Sequence, residues 1–457
     1  MREYNENYLE HIREIINDDR SNEARAELAT LHPADIAELY QELDLEEAEY
    51  LYRLLDADTA ADVLMELDEE DRLKLLNAMP AEEIARQIDH LDTDDAVDLI
   101  QQLDEEEREA ILAHIDDVEQ AGDIIDLLKY DEDTAGGLMG TEMLVVNENW
   151  SMPECIKQLR LQAEEMDEIY YVYVVDDDNK LKGILPLKKL ITHPSVSKIR
   201  HVMEADPVSV KVDTPIDEVA LDFEKYDLVA MPVIDSIGRL LGRITVDDVM
   251  DQVREASERD YQLASGLSSD VDADDSILAQ TKARIPWLLI GIFSGIVASL
   301  ILGSFETKLQ AVTALALFIP IIGGTGGNVG VQASAIVVQS LANGTLEVKE
   351  FSRQLGKEIL VGLLNATVLS AVVFAYNLIM LPDQFAVTIS VAASLFVVVM
   401  FATILGTVVP LTLEKLHINP ALATGPFIQI SNDLVGLIIY VKIATCFLDL
   451  FGTPLIS

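Results

Sequence analysis

The first third of the chain repeats its apolar positions every twelve residues. The positions in register are Leu31, Leu43, Leu55, Leu67, Met79, Leu91, Leu103 and Ile115. Most are followed by a residue that favours the start of a helix, namely Asp44, Asp56, Asp68, Pro80, Asp92 and Asp104. Asp and Pro open helices, and acids in the first turn complement the positive end of the helix dipole. The pattern predicts a superhelical, α-helical N-domain of short helices over residues 1–130.

A strand pattern replaces the helical one between about residues 131 and 250. The segments YYVYVVDDDNKLKGILPLKKL and VAMPVIDSIGRLLGRITVDDV superimpose at an offset of 59 residues, which aligns Asp176 with Asp235. Each copy reads as a β-branched strand, a polar turn, a second strand after glycine, and a helix. We therefore expect a tandem pair of α/β domains, at residues 131–200 and 201–250.

A long helix is expected next, from about Val246 to Ala264, within a connecting segment of residues 246–280. Four of its acids share one helical face, namely Asp247, Asp251, Glu255 and Glu258. A face of this kind repels itself unless counterions lie along it. A solvated surface and a cation-binding surface both remain open.

The last part, residues 281–457, is expected to be a transmembrane domain with five helices. Long apolar segments occupy residues 285–305, 309–346, 359–382, 384–413 and about 421–448. Each reaches the twenty or so residues that a helix needs to cross a membrane. Because the number of spans is odd, the two ends of this domain face opposite sides.

Basic residues predict the orientation of these spans. They cluster at the start of the domain and in its second and fourth loops, at Lys282, Arg284, Lys349, Arg353, Lys357 and Lys415. The other exposed segments offer Lys308. By the positive-inside rule, the N-terminal domains are cytosolic and the C-terminus lies outside. The first residues agree, since they lack the apolar core of a signal peptide.

The net charge of −48 lies in residues 1–280, which carry 72 acids against 24 Lys and Arg, whereas residues 281–457 carry 8 of each. Concentrated negative charge excludes nucleic acid as a partner and favours cations. In the segment LDTDDAVDLI, Asp94 and Asp98 lie four residues apart, where like charges repel unless a cation bridges them. Helix capping alone is the alternative explanation for such acids.

The residue types argue against an enzyme. The two cysteines, Cys155 and Cys446, form no CxxC motif, so neither a disulfide framework nor a zinc site is supported. No Ser/His/Asp or Cys/His constellation is recognisable in the sequence.

Two of the spans carry polar motifs. The second contains PIIGGTGGNVGVQASA, where Asn328 and Gln332 lie one turn apart and are expected to share a face with the glycines. The fifth contains INPALATGPFIQISNDLVGLIIYVK, where Gln429 precedes Asp433 by one turn. An ionisable residue at membrane depth is costly and by default marks an ion pathway. We also expect Gly425-Pro426 to break the helix and free carbonyl groups. A buried ion pair with Lys442 is the alternative, but the two positions are about 13 Å apart along a helix.

These motifs, with TAGGLMG at 134–140 and the order of the domains, resemble the MgtE family of magnesium channels over essentially the whole chain. The tandem α/β pair is similar to CBS domains. The resemblance implies a homodimer in the bacterial plasma membrane, with one pore along the two-fold axis. It further implies Mg2+ uptake and closure of the pore by cytosolic Mg2+. The expected partners are a second copy of the chain, divalent cations and membrane lipid.

The resemblance also implies site residues. The pore residues are Asp433, Asn328, Gln332, Gln429 and Asn419. Regulatory Mg2+ would be bound by acids of the N-domain and second CBS copy, namely Asp62, Asp94, Asp98, Asp217 and Asp227. Further ligands come from the connecting helix, namely Asp247, Asp248, Asp251, Glu255 and Glu258, whose alignment to the family requires a one-residue shift. Asn419 stands where the family commonly has Asp.

The Thr-x-x-Asp of the second CBS copy has two interpretations. In many CBS domains, a Thr-x-x-Asp at this position binds the ribose of an adenine nucleotide such as ATP. By that resemblance, Thr245 and Asp248 would hold the ribose. Equally, the two residues would simply cap the next helix.

Two other functions compete with a channel. One is a CBS-regulated exporter of Mg2+ or Co2+, although in that class the membrane part precedes the CBS pair. The other is a membrane-anchored sensor of adenine nucleotides. Asp433 argues against a simple anchor, because an anchor needs no ionisable residue inside the membrane.

Overall fold

A computed structural model describes residues 6–450 except 164–165, 167–168, 194–196, 270, 272–274, 307–311, 344 and 347–350. The chain divides into two units, Met1–Val253 and Arg254–Ser457. Lys308 and Lys349, on which part of the predicted orientation depends, lie outside the described residues.

The N-terminal helices follow the twelve-residue repeat. They are α1 (Glu6–Asn17), α2 (Ser21–Leu28), α3 (Pro33–Gln41), α4 (Leu45–Tyr52), α5 (Ala57–Glu66), α6 (Glu69–Asn77), α7 (Ala81–Ile88), α8 (Thr93–Gln101), α9 (Glu105–Leu112) and α10 (Val118–Leu127). Leu67, Leu91 and Leu103 of the repeat are buried, and Leu31 and Leu43 pack partly buried against the same core. The predicted α-helical N-domain is confirmed.

The aspartates at the helix starts of this domain differ in whether their side chains cap the helix. Asp44 and Asp104 accept backbone hydrogen bonds at 2.9 Å from the residues three positions later, as side-chain caps do. Asp68 and Asp92 stand at the same position, but their side chains do not cap the helix. The capping prediction is therefore wrong for the side chains of both residues. Asp68 accepts a hydrogen bond from Gln41, and Asp92 lies beside Arg243.

The two sheets repeat the same local structure. The first has the order β1 (Leu144–Asn147), β2 (Val172–Val175), β3 (Leu181–Leu185) and β4 (Glu204–Ala205). The second has β5 (Val210–Lys211), β6 (Ala230–Ile234) and β7 (Leu240–Thr245). In each, a parallel pair is followed by an antiparallel hairpin. The accompanying helices are α11 (Met152–Gln162), α12 (Leu187–Thr192) and α13 (Ile216–Tyr226).

The hairpin turns explain why the copies superimpose. The carboxylate of Asp176 accepts hydrogen bonds from two backbone N–H groups of its turn, and Asp235 does the same in the second copy. The strand after each turn also pairs with the other turn, since Leu181 N donates to Gly238 O and Leu240 N to Asn179 O, both at 3.0 Å. The predicted tandem α/β pair is confirmed.

The connecting helix α14 (Val246–Ser265) is continuous and ends one residue beyond the expected end. Gly266 closes it at φ 87°. Leu267 N donates to Gln262 O and Gly266 N to Leu263 O, which is the pair of bonds of a Schellman cap.

Among the described residues, five further helices are long and apolar enough to cross a membrane. They are α15 (Ile277–Ser304), α16 (Ile319–Ala342), α17 (Phe351–Met380), α18 (Phe385–Lys415) and α19 (Gly425–Leu450). Helix α18 packs against α16, α17 and α19 and is the most buried of the five. Short 3-10 helices precede α16, at Thr313–Phe318, and α19, at Pro420–Ala423.

The fifth span differs from the sequence prediction. Gly425 and Pro426 do not interrupt a helix; they begin α19. Proline fits there because its missing N–H would have no partner in a first turn anyway.

Candidate functional site

The polar side chains of α19 pack against glycines of α16. A Cβ added to Gly327 would collide with the Gln429 amide, and one added to Gly323 would come within 3.4 Å of the Asp433 carboxylate. The Nε2 of Gln429 donates to Oδ1 of Asp433 at 3.5 Å. The glycines therefore allow the backbone of α16 to approach the carboxylate, and the amide orients it.

Asn432 extends this contact and was missed from the sequence. Its side chain is 1% exposed, and a Cβ added to Gly330 would collide with its amide. Neither polar atom of the amide has a hydrogen-bond partner within the part of the chain that the structure describes. Gly406 of α18 in turn lies against the carbonyl of Gly330. Three helices thus meet around one buried amide.

The two amides expected on the glycine face of α16 lie on another face. Gly323, Gly327 and Gly330 are turned inward, whereas Asn328 and Gln332 are exposed. Gly324 is exposed as well. Positions 324, 328 and 332 are four residues apart and so lie on one face of the helix. The two amides therefore share a face with Gly324 but not with the three inward-facing glycines.

Asn419 lies before α19 and is exposed. Its Oδ1 accepts from Ala421 N at 2.8 Å and caps the 3-10 helix. Its Nδ2 donates to Asp260 of α14 at 2.8 Å.

A cluster of carboxylates lies in the unit Met1–Val253. One oxygen from each of Asp92, Asp94 and Glu142 lies within 4.8 Å of the other two. Thr93 fixes Glu142 through its N–H and its hydroxyl, both at 3.1 Å. Gly140 makes the approach possible, because a Cβ there would come within 2.8 Å of the Asp94 carboxylate.

The acids of this cluster are held at an electrostatic cost. Burial, and then the charge of Asp248, raises the pKa of Asp94 well above its ordinary value. Burial raises the pKa of Asp95 to about 7, with Asp248 adding to the shift. Burial and the charge of Asp92 raise the pKa of Glu142. Each shift means that the ionised form is disfavoured where it stands, which a bound cation would reverse.

Arg243 supplies one positive charge beside the cluster. Its Nη2 lies 3.2 Å from Oδ2 of Asp92, and its Nε donates to the backbone carbonyl of Glu142. The charge of Arg72 also acts on Asp95, where it lowers the pKa. Two guanidinium groups do not balance the carboxylates gathered here. Carboxylate oxygens at this spacing are the donor set that a hard divalent cation such as Mg2+ prefers, so the residues fit that ion.

Of the expected regulatory residues, the structure brings together Asp94 and Asp248, and the charge of Asp98 also acts on Asp95 beside them. The others are exposed, namely Asp62, Asp98, Asp217, Asp227, Asp247, Asp251, Glu255 and Glu258. The sequence missed Asp92, Asp95 and Glu142. Asp92 was interpreted as a cap, and no local spacing could bring Glu142 to a helix start so far away in the chain.

Thr245 and Asp248 interact with each other at the start of α14. The N–H of Thr245 donates to Oδ2 of Asp248 at 3.2 Å, and its hydroxyl donates to the same oxygen. Asp248 therefore caps the backbone N–H of Thr245, which is one half of a capping box. The binding of a nucleotide ribose by these residues stays a prediction.

Comparison with known proteins places these features in a family. Residues 319–443 match the family model of the MgtE divalent cation transporter, and residues 31–133 match the MgtE intracellular N domain. Residues 135–195 and 199–255 match CBS domains. The chain is 34% identical to the magnesium transporter MgtE of Thermus thermophilus, over 96% of this chain and 98% of that protein. It is 30% identical to the one of Bacillus subtilis, over 95% and 96%.

Solved structures agree over the N-terminal part of the chain. The crystal structure of the soluble part of a magnesium transporter is 32% identical and covers 55% of this chain and 98% of its own, with a TM-score of 0.50. The cytosolic domain of the Mg2+ channel MgtE in complex with ATP is 33% identical over 53% of this chain and 98% of its own, with a TM-score of 0.51. With an intramembrane carboxylate, a tandem CBS pair and an acidic helical N-domain in one chain, this protein belongs to the MgtE family of divalent cation transporters.

Proposed function

We propose that this protein is a Mg2+-selective channel that mediates magnesium uptake across the plasma membrane. The observation that carries the proposal is Asp433, a carboxylate within an apolar span, oriented by Gln429 against the glycines of α16. A charged group at this depth is costly and belongs beside an ion pathway. Relatives that match nearly the full chain are magnesium transporters, which supports Mg2+ as the ion.

The pore forms between two copies of the chain. Asn328 and Gln332 present amides on an exposed face of an apolar helix. Amides facing hydrocarbon are unfavourable, whereas a second copy across a two-fold axis would turn them toward a wet pathway. The two Asp433 carboxylates then face one ion.

Selectivity follows from how Mg2+ holds its water. The ion sheds water reluctantly and keeps an octahedral shell, so a wide oxygen-lined site suits it better than a tight protein cage. Asp433, Gln429, Asn328 and Gln332 contact the water shell, and Asn419 lies at the cytosolic entrance.

Cytosolic Mg2+ closes the channel. The ion is held by Asp92, Asp94, Glu142 and Asp248, whose mutual repulsion it relieves. The exposed acids of α14 provide further binding, and this continuous helix transmits the change, since its residues belong to both units. Such a switch requires only that the closed state bind Mg2+ more tightly than the open state.

Adenine nucleotides bind the CBS pair. A solved relative is the cytosolic domain of an Mg2+ channel in complex with ATP. Thr245 and Asp248 are the residues that would contact the ribose. Their mutual hydrogen bond would then be exchanged for bonds to the ribose hydroxyls.

The N-terminal domains lie in the cytosol and the C-terminus lies outside. Among the described residues, Lys282, Arg284, Arg353, Lys357 and Lys415 support this orientation.

Replacement of the pore carboxylate tests the proposal. In liposomes, Asp433→Asn should lower the Mg2+ flux by about a hundredfold or more, because an intramembrane charge worth several kcal/mol to the ion is lost. Asp383→Asn, in the loop between α17 and α18, removes an acid elsewhere and should leave the flux unchanged. Normal flux in Asp433→Asn, with both variants equally folded, rejects the pore assignment.

A further inference from the structure

The end of α14 lies against the start of α19 with no room between the backbones. Gly425, at φ 26°, lies so close to the carbonyl of Ala264 that any Cβ would collide with it. Gly266, at φ 87°, lies against the ring of Pro426, where a Cβ would come within 2.5 Å of Cγ. These contacts define where the connecting helix ends on the membrane domain.

A side-chain hydrogen bond joins the same two regions. Asn419 Nδ2 donates to Asp260 Oδ1 at 2.8 Å. The oxygen of the same amide accepts from Ala421 N at 2.8 Å. Because that oxygen is already bonded to its own backbone, the group that faces Asp260 is necessarily the NH2 donor.

An aspartate at position 419 would behave in the opposite way. It could still cap the 3-10 helix with one oxygen, but its second oxygen would face the carboxylate of Asp260. An ionised carboxylate accepts hydrogen bonds but cannot donate one. The two carboxylates would therefore repel each other unless a cation lay between them. Asparagine removes the need for that cation.

We propose that Asn419 and Asp260 form a latch that holds the end of the connecting helix against α19 without any divalent cation. Asp433 lies eight residues beyond Gly425, about 12 Å along the helix axis. The latch therefore fixes the helix end near the ion pathway in both low and high Mg2+. The cation-dependent part of closure is left to the acids nearer the start of α14. This regulatory role rests on the proposed function, whereas the latch itself is measurable without transport.

Hydrogen exchange on the full-length protein in lipid nanodiscs tests the latch. In EDTA, the amides of residues 260–265 should exchange slowly in the unmodified protein. Asn419→Asp should speed their exchange about tenfold, the effect of losing a charge-assisted hydrogen bond and gaining repulsion. Millimolar Mg2+ should restore slow exchange in this variant, because the ion bridges the two carboxylates.

The double variant Asn419→Asp/Asp260→Asn exchanges the two groups, so the amide donor is at position 260 and the carboxylate acceptor is at position 419. The hydrogen bond can then form in reverse, so slow exchange in EDTA should return. Asn343→Asp, at the C-cap of α16, makes the same chemical change elsewhere and should leave residues 260–265 unaffected.

Two results would overturn the latch: exchange at the unmodified rate for Asn419→Asp in EDTA, or no recovery in the double variant. Flux measurements separate this from the proposed function. A protein that conducts no Mg2+ but shows the exchange pattern refutes the channel and leaves the latch. If the protein is a Mg2+-gated channel but substitution of Asn419 does not change the hydrogen exchange of residues 260–265, the latch alone is refuted.

Discussion

Individual glycines of α16 allow this helix to pack closely against the Asp433 carboxylate of α19. Gly327 faces the Gln429 amide, and that amide contacts Asp433. The sequence predicted Asp433 and the crowded glycines, because both residue types are exceptional inside an apolar run. It did not predict which glycines face α19, since the composition of the run leaves the rotation of the helix open. Asn432, which precedes Asp433 in the chain, was missed because the sequence does not show which face of α19 packs against α16.

Gly327→Ala should destabilise the membrane domain. The added methyl collides with the Gln429 amide, and overpacking of this kind costs about 1–3 kcal/mol. Thermal unfolding in detergent should show a lower midpoint, and the Mg2+ flux should fall. Gly295→Ala is the control, because nothing lies within 4 Å of a Cβ at that glycine of α15. An unchanged midpoint for Gly327→Ala would contradict the close packing of α16 on α19.

Asp94→Asn should make the protein less dependent on Mg2+. Burial, and then the charge of Asp248, raises the pKa of Asp94, so its ionised carboxylate is unfavourable where it lies. A neutral amide at this position should therefore raise the unfolding temperature in EDTA above that of the unmodified protein. The gain in unfolding temperature from millimolar Mg2+ should shrink. Glu109→Gln, an exposed acid of α9, should alter neither value. An undiminished gain from Mg2+ in Asp94→Asn would exclude Asp94 as a ligand.

At the scale of elements, the sequence predicted the helices well and their contacts poorly. The twelve-residue register, the offset of 59 and the five apolar runs are local patterns, so they predicted the short helices, the paired hairpins and the spans. Cap positions were also local, but Asp92 occupies one without capping, because its carboxylate lies beside Arg243 instead. Such a contact between residues far apart in the chain has no signature in either local segment.

Mg2+ should protect the middle of α14 from protease. The exposed acids around Arg254 repel each other, and a cation that neutralises them stabilises the helix. Trypsin cleavage after Arg254 should therefore slow in millimolar Mg2+ compared with EDTA, as followed by mass spectrometry of the fragments. Glu255→Gln/Glu258→Gln should reduce this difference. Equal cleavage with and without Mg2+ in the unmodified protein would argue against α14 as a cation-binding element.

At the scale of the whole molecule, the uneven distribution of charge is the main clue to function. An acidic N-terminal part and a neutral apolar C-terminal part predicted a membrane protein that interacts with cations, and the family match agrees. The carboxylate cluster was only half predicted. Asp94 and Asp248 were expected from the resemblance, whereas Glu142 comes close to Asp94 only because Gly140 permits the approach. That depends on the fold rather than on local sequence.

Ion flux in liposomes tests the central claim most directly. With purified protein oriented so that the cytosolic domains face one controlled bath, Mg2+ influx should be large when that bath holds micromolar Mg2+. It should fall steeply as the same bath reaches millimolar Mg2+, because the acidic sites then fill and favour the closed state. Absence of Mg2+ flux at every concentration on the cytosolic side would contradict the account.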